Sequence, residues 1–374
     1  MGLGVEYKAM TAWFRRMLRV ASFVAVAGLS GCGEWPYYYW QATTGEMEIL
    51  IQRRSVESLL ADAETPPGLR SRLMLADRLR RFAEGELRLP SSGTFRDYAD
   101  LRRPFVTRVV FATPELSLEP RRWCFPVVGC LAYRGYFDDR EARRQAESLR
   151  REGLDVHLSA SPAHSTLGWF ADPLLNTFID WPEGRLAGLM FHELAHEKFY
   201  IPDDTTFNES FAEAVSRIGV ERWLERTGQG EALSRLRRDW IERARFVEQV
   251  EAVRERLTTL YAGPSTEAEK RSGKREIFAN AVLEAERWDG KPGDPEREAT
   301  RRAYGRWWRD GINNAKLISV GIYSAWVPAF LGILEENHGD LEGFYRSVQA
   351  LAELPMEARN ERLRGGTTVG SERR

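Results

Sequence analysis

The sequence predicts a helix-rich α+β fold with a small mixed sheet and a long helical hairpin. Three observations predict it. Apolar residues recur at three- and four-residue spacing over 45–63, 67–85 and 231–288, the period of helices that bury one face. β-formers gather between Phe105 and Ser159, broken by turn residues. Between these regions, 186–220 reads as two more helices, and their apolar run is interrupted by histidines and glutamates.

With 374 residues the chain suits one large domain or two ordinary ones, and 43% apolar content with 12 tryptophans supports a sizeable core. A net charge of -1 gives no basic surplus to attract nucleic acid. The organisation we read is a single unit over 32–364. It has N-terminal helices to 100, a sheet region over 101–185, the paired helices of 186–220 and a helical remainder.

Residues 1–31 stand apart as a signal peptide. Arg15, Arg16 and Arg19 precede the apolar run Val20 to Leu29, which is too short to span a bilayer. The following Leu29-Ser30-Gly31-Cys32 resembles the bacterial lipobox, whose cysteine is lipidated and becomes the mature N-terminus. Gly33 stands where an aspartate would signal inner-membrane retention, so the expected location is the outer membrane, facing the periplasm. Of three cysteines, Cys124 and Cys130 then remain as an even pair in an oxidising compartment. Pro126 and Gly129 between them favour a turn, so a disulfide is expected.

The aromatic run Trp35 to Trp40 could pack on the body or lie near the membrane surface, and packing is the expectation. Helices follow over 45–63 and 67–85, separated by Pro66-Pro67-Gly68. Val106, Val109, Val110 and Phe111 predict a strand closed by Thr113-Pro114, and a second apolar run covers Phe125 to Tyr133. Arg140 to Glu152 is a charged helix and Leu154 to Ser159 alternates like a strand. His164 to Phe170 precedes Asp172-Pro173.

His192-Glu193-Leu194-Ala195-His196 is the zinc-protease signature. Residues four apart on a helix share a face, so both imidazoles address one ion. Glu193 lies beside them as a general base for water. The apolar neighbours Leu189, Met190, Phe191, Leu194 and Ala195 would bury the histidines, which then need partners. In zincin folds an edge strand precedes this helix and holds extended substrate by main-chain hydrogen bonds. Ser165, Thr166, Leu167 and Gly168 occupy that place, although an internal strand without a ligand reads equally well.

A catalytic zinc needs a third protein ligand and an open position. A metzincin would have glycine at 199 and histidine at 202; Phe199 and Pro202 exclude it. Asn208-Glu209-Ser210-Phe211-Ala212 resembles the Asn-Glu-x-Phe-Ala segment of gluzincin aminopeptidases, whose glutamate binds zinc. That resemblance implies Glu209 as third ligand, with Glu213 one turn on orienting a ligand histidine. Two alternatives stand. Thr206-x-x-Glu209 is also a capping box, and Glu213 could itself be the ligand. Gly45-Glu46-Met47-Glu48 looks like part of an exopeptidase signature, but it falls in a helical pattern far upstream.

Together with these motifs, Trp123-Cys124-Phe125-Pro126, Gly129-Cys130, Tyr133-Arg134-Gly135-Tyr136-Phe137, Asp204-Thr205-Thr206-Phe207 and Asn313-Asn314-Ala315 make most of the chain resemble a bacterial family of predicted aminopeptidases, zinc-type lipoproteins. The resemblance implies a zincin-like fold, one Zn2+, and a peptide or protein substrate. A catalytically silent peptide- or envelope-binding lipoprotein, or an envelope scaffold built on the hairpin, are the rival classes.

Over 231–262 apolar residues form a heptad-like stripe, against which 267–288 folds back. Lys291-Pro292-Gly293-Asp294-Pro295 breaks the chain, and 313–354 returns to helix. Tyr323 leads Tyr200 and His164 as donor to a developing oxyanion. The polar tail 365–374 is expected to lack structure.

Overall fold

The computed structural model describes residues 35–125, 129–163, 171–202, 204–289, 295–320 and 326–371. Helix α1 (Trp35–Ile51) buries Gln41, Gly45 and Ile49, one residue per turn. A Cβ on Gly45 would meet the Phe137 ring at 2.1 Å, so only glycine fits there. The Phe137 amide donates to Gln41 Oε1 at 2.9 Å. The exopeptidase-like Gly45-Glu46-Met47-Glu48 lies inside this helix, and Glu48 is bridged by Arg103 Nη1 at 2.7 and 2.8 Å.

The helix predicted over 45–63 does not run through. The chain extends into β1 (Arg54–Ser55) and restarts as α2 (Val56–Ala61), with Ser55 Oγ capping Ser58 N at 3.3 Å. Pairing wins over helix propensity here: Val56 N donates to Arg96 O at 2.9 Å, and β1 joins β2 (Asp97–Ala99). Helix α3 (Pro67–Gly85) follows as predicted, with Pro67 in its first turn.

In place of one mixed sheet there are three small ones among the described residues. The central strand β3 (Thr107–Pro114) has β6 (Arg134–Tyr136) and β7 (Leu154–Ser161) antiparallel on its two sides. Both its edges are therefore taken, and the shorter strands must pair elsewhere. β4 (Trp123–Phe125) and β5 (Gly129–Leu131) form a two-stranded ribbon. β2 lies between antiparallel β1 and parallel β8 (Leu174–Leu175), the one mixed sheet. Alternation along β3 sends Val110 and Ala112 against Ala142, Ala146 and Leu149 of α4 (Asp139–Arg151). Phe111, on the opposite side, meets Ala315 and Ile318 of α10 (Asn314–Ile318).

The main core joins α3 to α5 (Glu183–Lys198), α6 (Thr205–Arg226), α11 (Val327–Glu336) and α12 (Leu341–Ala352). The hairpin of α7 (Gly230–Ala262) and α8 (Glu267–Asp289) has a core of its own. Phe246, Val250, Val253 and Leu257 pack there on Phe278, Ala281, Ala285 and Trp288, joined by Trp308 of α9 (Pro295–Arg309). The heptad-like spacing is the buried seam from Val250 to Leu257, whereas Ala244 of the stripe is exposed and Phe246, outside it, is buried.

The C-terminal helix α13 (Met356–Ser371) runs past Gly365, where the sequence predicts a structureless tail. Arg359 and Leu363 are 4% and 1% exposed; their burial fixes the first turns, and the helix propagates from them. No helix among the described residues is long and apolar enough to cross a membrane.

Candidate metal centre

Leu186, Ala187, Met190, Phe191, Leu194 and Ala195 bury one side of α5, which turns His192 and His196 toward α6. Close approach of the two helices depends on small residues. A Cβ on Gly219 would lie 2.6 Å from Phe191 Cδ2 and from Leu87 Cδ1, and Ser216 Oγ donates to Gly188 O at 2.8 Å.

The loop between α5 and α6 is fixed by side chains that imitate backbone. Asn208 Nδ2 donates to Ile201 O, and Asn208 Oδ1 accepts from Ile201 N, both at 2.8 Å. Asp204, not Thr206, caps α6: its Oδ1 accepts from Phe207 N at 3.0 Å. The capping-box alternative for Glu209 therefore falls away, because Glu209 sits inside the helix with its carboxylate directed at α5.

Three side chains converge. His192 Nε2 and His196 Nε2 are 3.1 Å apart. Glu209 Oε2 lies 3.3 Å from the first and its Oε1 3.7 Å from the second. Among the described residues, His192, His196 and Glu209 are a group able to hold a metal, with ligand atoms all within 4.8 Å of one another. Tetrahedral zinc with ligand bonds of about 2.0–2.1 Å spaces its ligands about 3.3 Å apart, so these separations fit one ion. The donor set, two imidazoles and one carboxylate, also suits zinc.

The two imidazoles are pushed in opposite directions. Burial works against charge on His192, but the Glu209 hydrogen bond and the carboxylates of Glu193, Glu209 and Glu213 hold its proton above the usual histidine range. His196 goes the other way, down to about 4, through burial and then the charge of His192. Glu193 Oε2 is shielded from solvent. Glu213 Oε1 accepts from Arg217 Nε at 2.9 Å, and its charge reaches His192 through space. Next along α5, Glu197 receives a 2.5 Å hydrogen bond from Thr94, tying the helix end to the N-terminal part.

Cys124 and Cys130 are disulfide-bonded as directly opposed partners of β4 and β5. Tyr200 is 49% exposed. Cys32, His164, Ser165, Thr166, Leu167, Gly168 and Tyr323 lie outside the described residues. Sequence reading missed three contributors: Asn208 as a loop clip, Arg359 as partner of Asp204, and Tyr133. The Tyr133 phenol is pushed up by burial and then by the charges of Glu209 and Tyr200. It therefore stays protonated within electrostatic reach of the Glu209 carboxylate.

The family model described as "Putative aminopeptidase" matches residues 37–363. The chain belongs to that family. The match runs from α1 to α13 and takes in α5 and α6 with all three converging side chains. No curated protein and no solved structure matches the chain.

Proposed function

We propose that this member of the aminopeptidase family is a zinc-dependent peptidase of zincin-like fold. The observation that carries the reading is the convergence of His192 Nε2, His196 Nε2 and the Glu209 carboxylate, with Glu193 beside His192 on the same helix. His192, His196 and Glu209 would hold one Zn2+. When bound, the ion supplies a Lewis acid that polarises the scissile carbonyl and acidifies water at neutral pH. Glu193 takes the proton of the attacking water and returns it to the leaving amine. Glu209, braced by Asn208 and Asp204 at the helix start, keeps the donor set fixed.

A donor to the oxyanion completes the chemistry. Tyr323, ahead of Tyr200 and His164, is the choice the sequence offers. The substrate is a peptide or protein. The lipobox-like Leu29-Ser30-Gly31-Cys32 supports a lipid anchor at Cys32 on the periplasmic side of the outer membrane, checked by mass spectrometry of the mature N-terminus.

The test is metal analysis of purified protein followed by cleavage of a mixed peptide library, wild type against Glu193→Gln. One zinc in both and a fall in turnover of about 100-fold or more in the variant is the expected result. Wild type that binds zinc and cleaves nothing supports the silent binding lipoprotein. Normal folding without zinc supports the scaffold.

A further inference from the structure

Helix α1 buries Gln41, Gly45 and Ile49 on one side. Its opposite side carries Trp40, Thr44, Met47 and Ile51, four positions that helical geometry stacks on one face. Trp40 is 65% and Ile51 76% exposed, and Met47 is half-exposed. No charge lies on that stripe in a chain that is 29% charged; Glu48 turns aside to Arg103. Even its polar member is self-contained: Thr44 Oγ1 bonds back to Trp40 O at 2.9 Å and Gln41 O at 3.2 Å, leaving its methyl outward. The other large exposed apolar side chains, such as Met74, Ile241 and Leu283, sit on separate helices, and single ones need no partner.

What covers this face is indicated by where the chain goes. The described residues begin at Trp35, three positions after Cys32, and three residues span at most about 10 Å. An acyl chain on Cys32 therefore holds the start of α1 at the headgroup layer. Indole rings and aliphatic side chains favour that layer. We infer that the outward face of α1, through Trp40, Met47 and Ile51, lies on the lipid surface and orients the enzyme on its membrane. The inference rests on lipidation of Cys32.

The experiment uses full-length protein purified from membranes and returned to phosphatidylethanolamine–phosphatidylglycerol vesicles containing brominated lipid. Lipidation is verified first by mass spectrometry, which separates failure of the anchor from failure of the surface. Bromine quenches tryptophan by contact, so wild type should be quenched measurably more than Trp40→Phe, with both cosedimenting with the vesicles. Ile51→Ser should lower the quenching of Trp40 while leaving peptide cleavage unchanged. Lipidated protein with equal quenching in wild type and Trp40→Phe overturns the inference. A detergent-solubilised dimer that Trp40→Ser with Ile51→Ser makes monomeric also overturns it, assigning the face to a second copy. Protein without lipid on Cys32 removes the inference together with its anchor.

Discussion

Arg359 donates two hydrogen bonds to Asp204 Oδ2, from Nε at 3.1 Å and from Nη2 at 2.6 Å, and Asp204 caps the helix that carries Glu209. Both side chains are buried, 4% and 7% exposed. Arg359 also stacks over Phe207 and donates to Ala352 O and Leu354 O. The C-terminal helix thus clamps the origin of the helix that carries Glu209. Arg359→Ala leaves Asp204 buried without its partner and should cost about 3–5 kcal/mol. Asp204→Asn with Arg359→Met should cost less than that single change, since no charge is stranded. Urea unfolding of the three proteins checks this; equal losses would show that the pair adds nothing specific.

Glu209 and Glu213 should fail differently. On the proposed assignment Glu209→Ala removes a ligand, so zinc content and activity should fall together. Glu213→Ala removes only the Arg217 bond and a through-space charge on His192; zinc affinity should weaken by at most about 10- to 100-fold. Metal content after dialysis against graded chelator distinguishes them. Loss of zinc from Glu213→Ala alone would reassign the ligand.

Gly219→Ala is expected to destabilise by about 1–3 kcal/mol, because the new methyl enters a packed contact. Its Cβ would fall 2.6 Å from Phe191 Cδ2, and Phe191 immediately precedes His192. Zinc affinity should therefore drop in the same variant, read by calorimetry. Unchanged stability and affinity would mean that α5 and α6 can separate freely.

Zinc binding should weaken as pH falls. The His192 proton is held above the usual histidine range, so metal must displace it at and below neutral pH. Affinity should fall by up to about tenfold per pH unit below that raised pKa and level off above it. Calorimetry in two buffers of different ionisation enthalpy should register proton release on binding. Affinity flat from pH 8 to pH 6 would refute it.

The sequence by itself determined the local elements and the spacing of chemistry. Period-3.6 stripes yielded α3, α7 and α8, a cluster of β-formers yielded β3, alternation yielded β7, and the four-residue interval put His192 and His196 on one face, because these are properties of a few consecutive residues. Where short-range signals compete, tertiary structure decided. Arg54, Ser55 and Val56 lie in a helical pattern yet pair with the segment 96–98, and Gly365 lies in a polar tail yet continues a helix held by Arg359 and Leu363. The capping reading of Glu209 fell only to the fold, in which Asp204 caps α6. No sequence pattern links Asp204 to Arg359, or Tyr133 to Glu209. Such partners are selected by which buried charge needs which neighbour, a question posed only once the helices are packed.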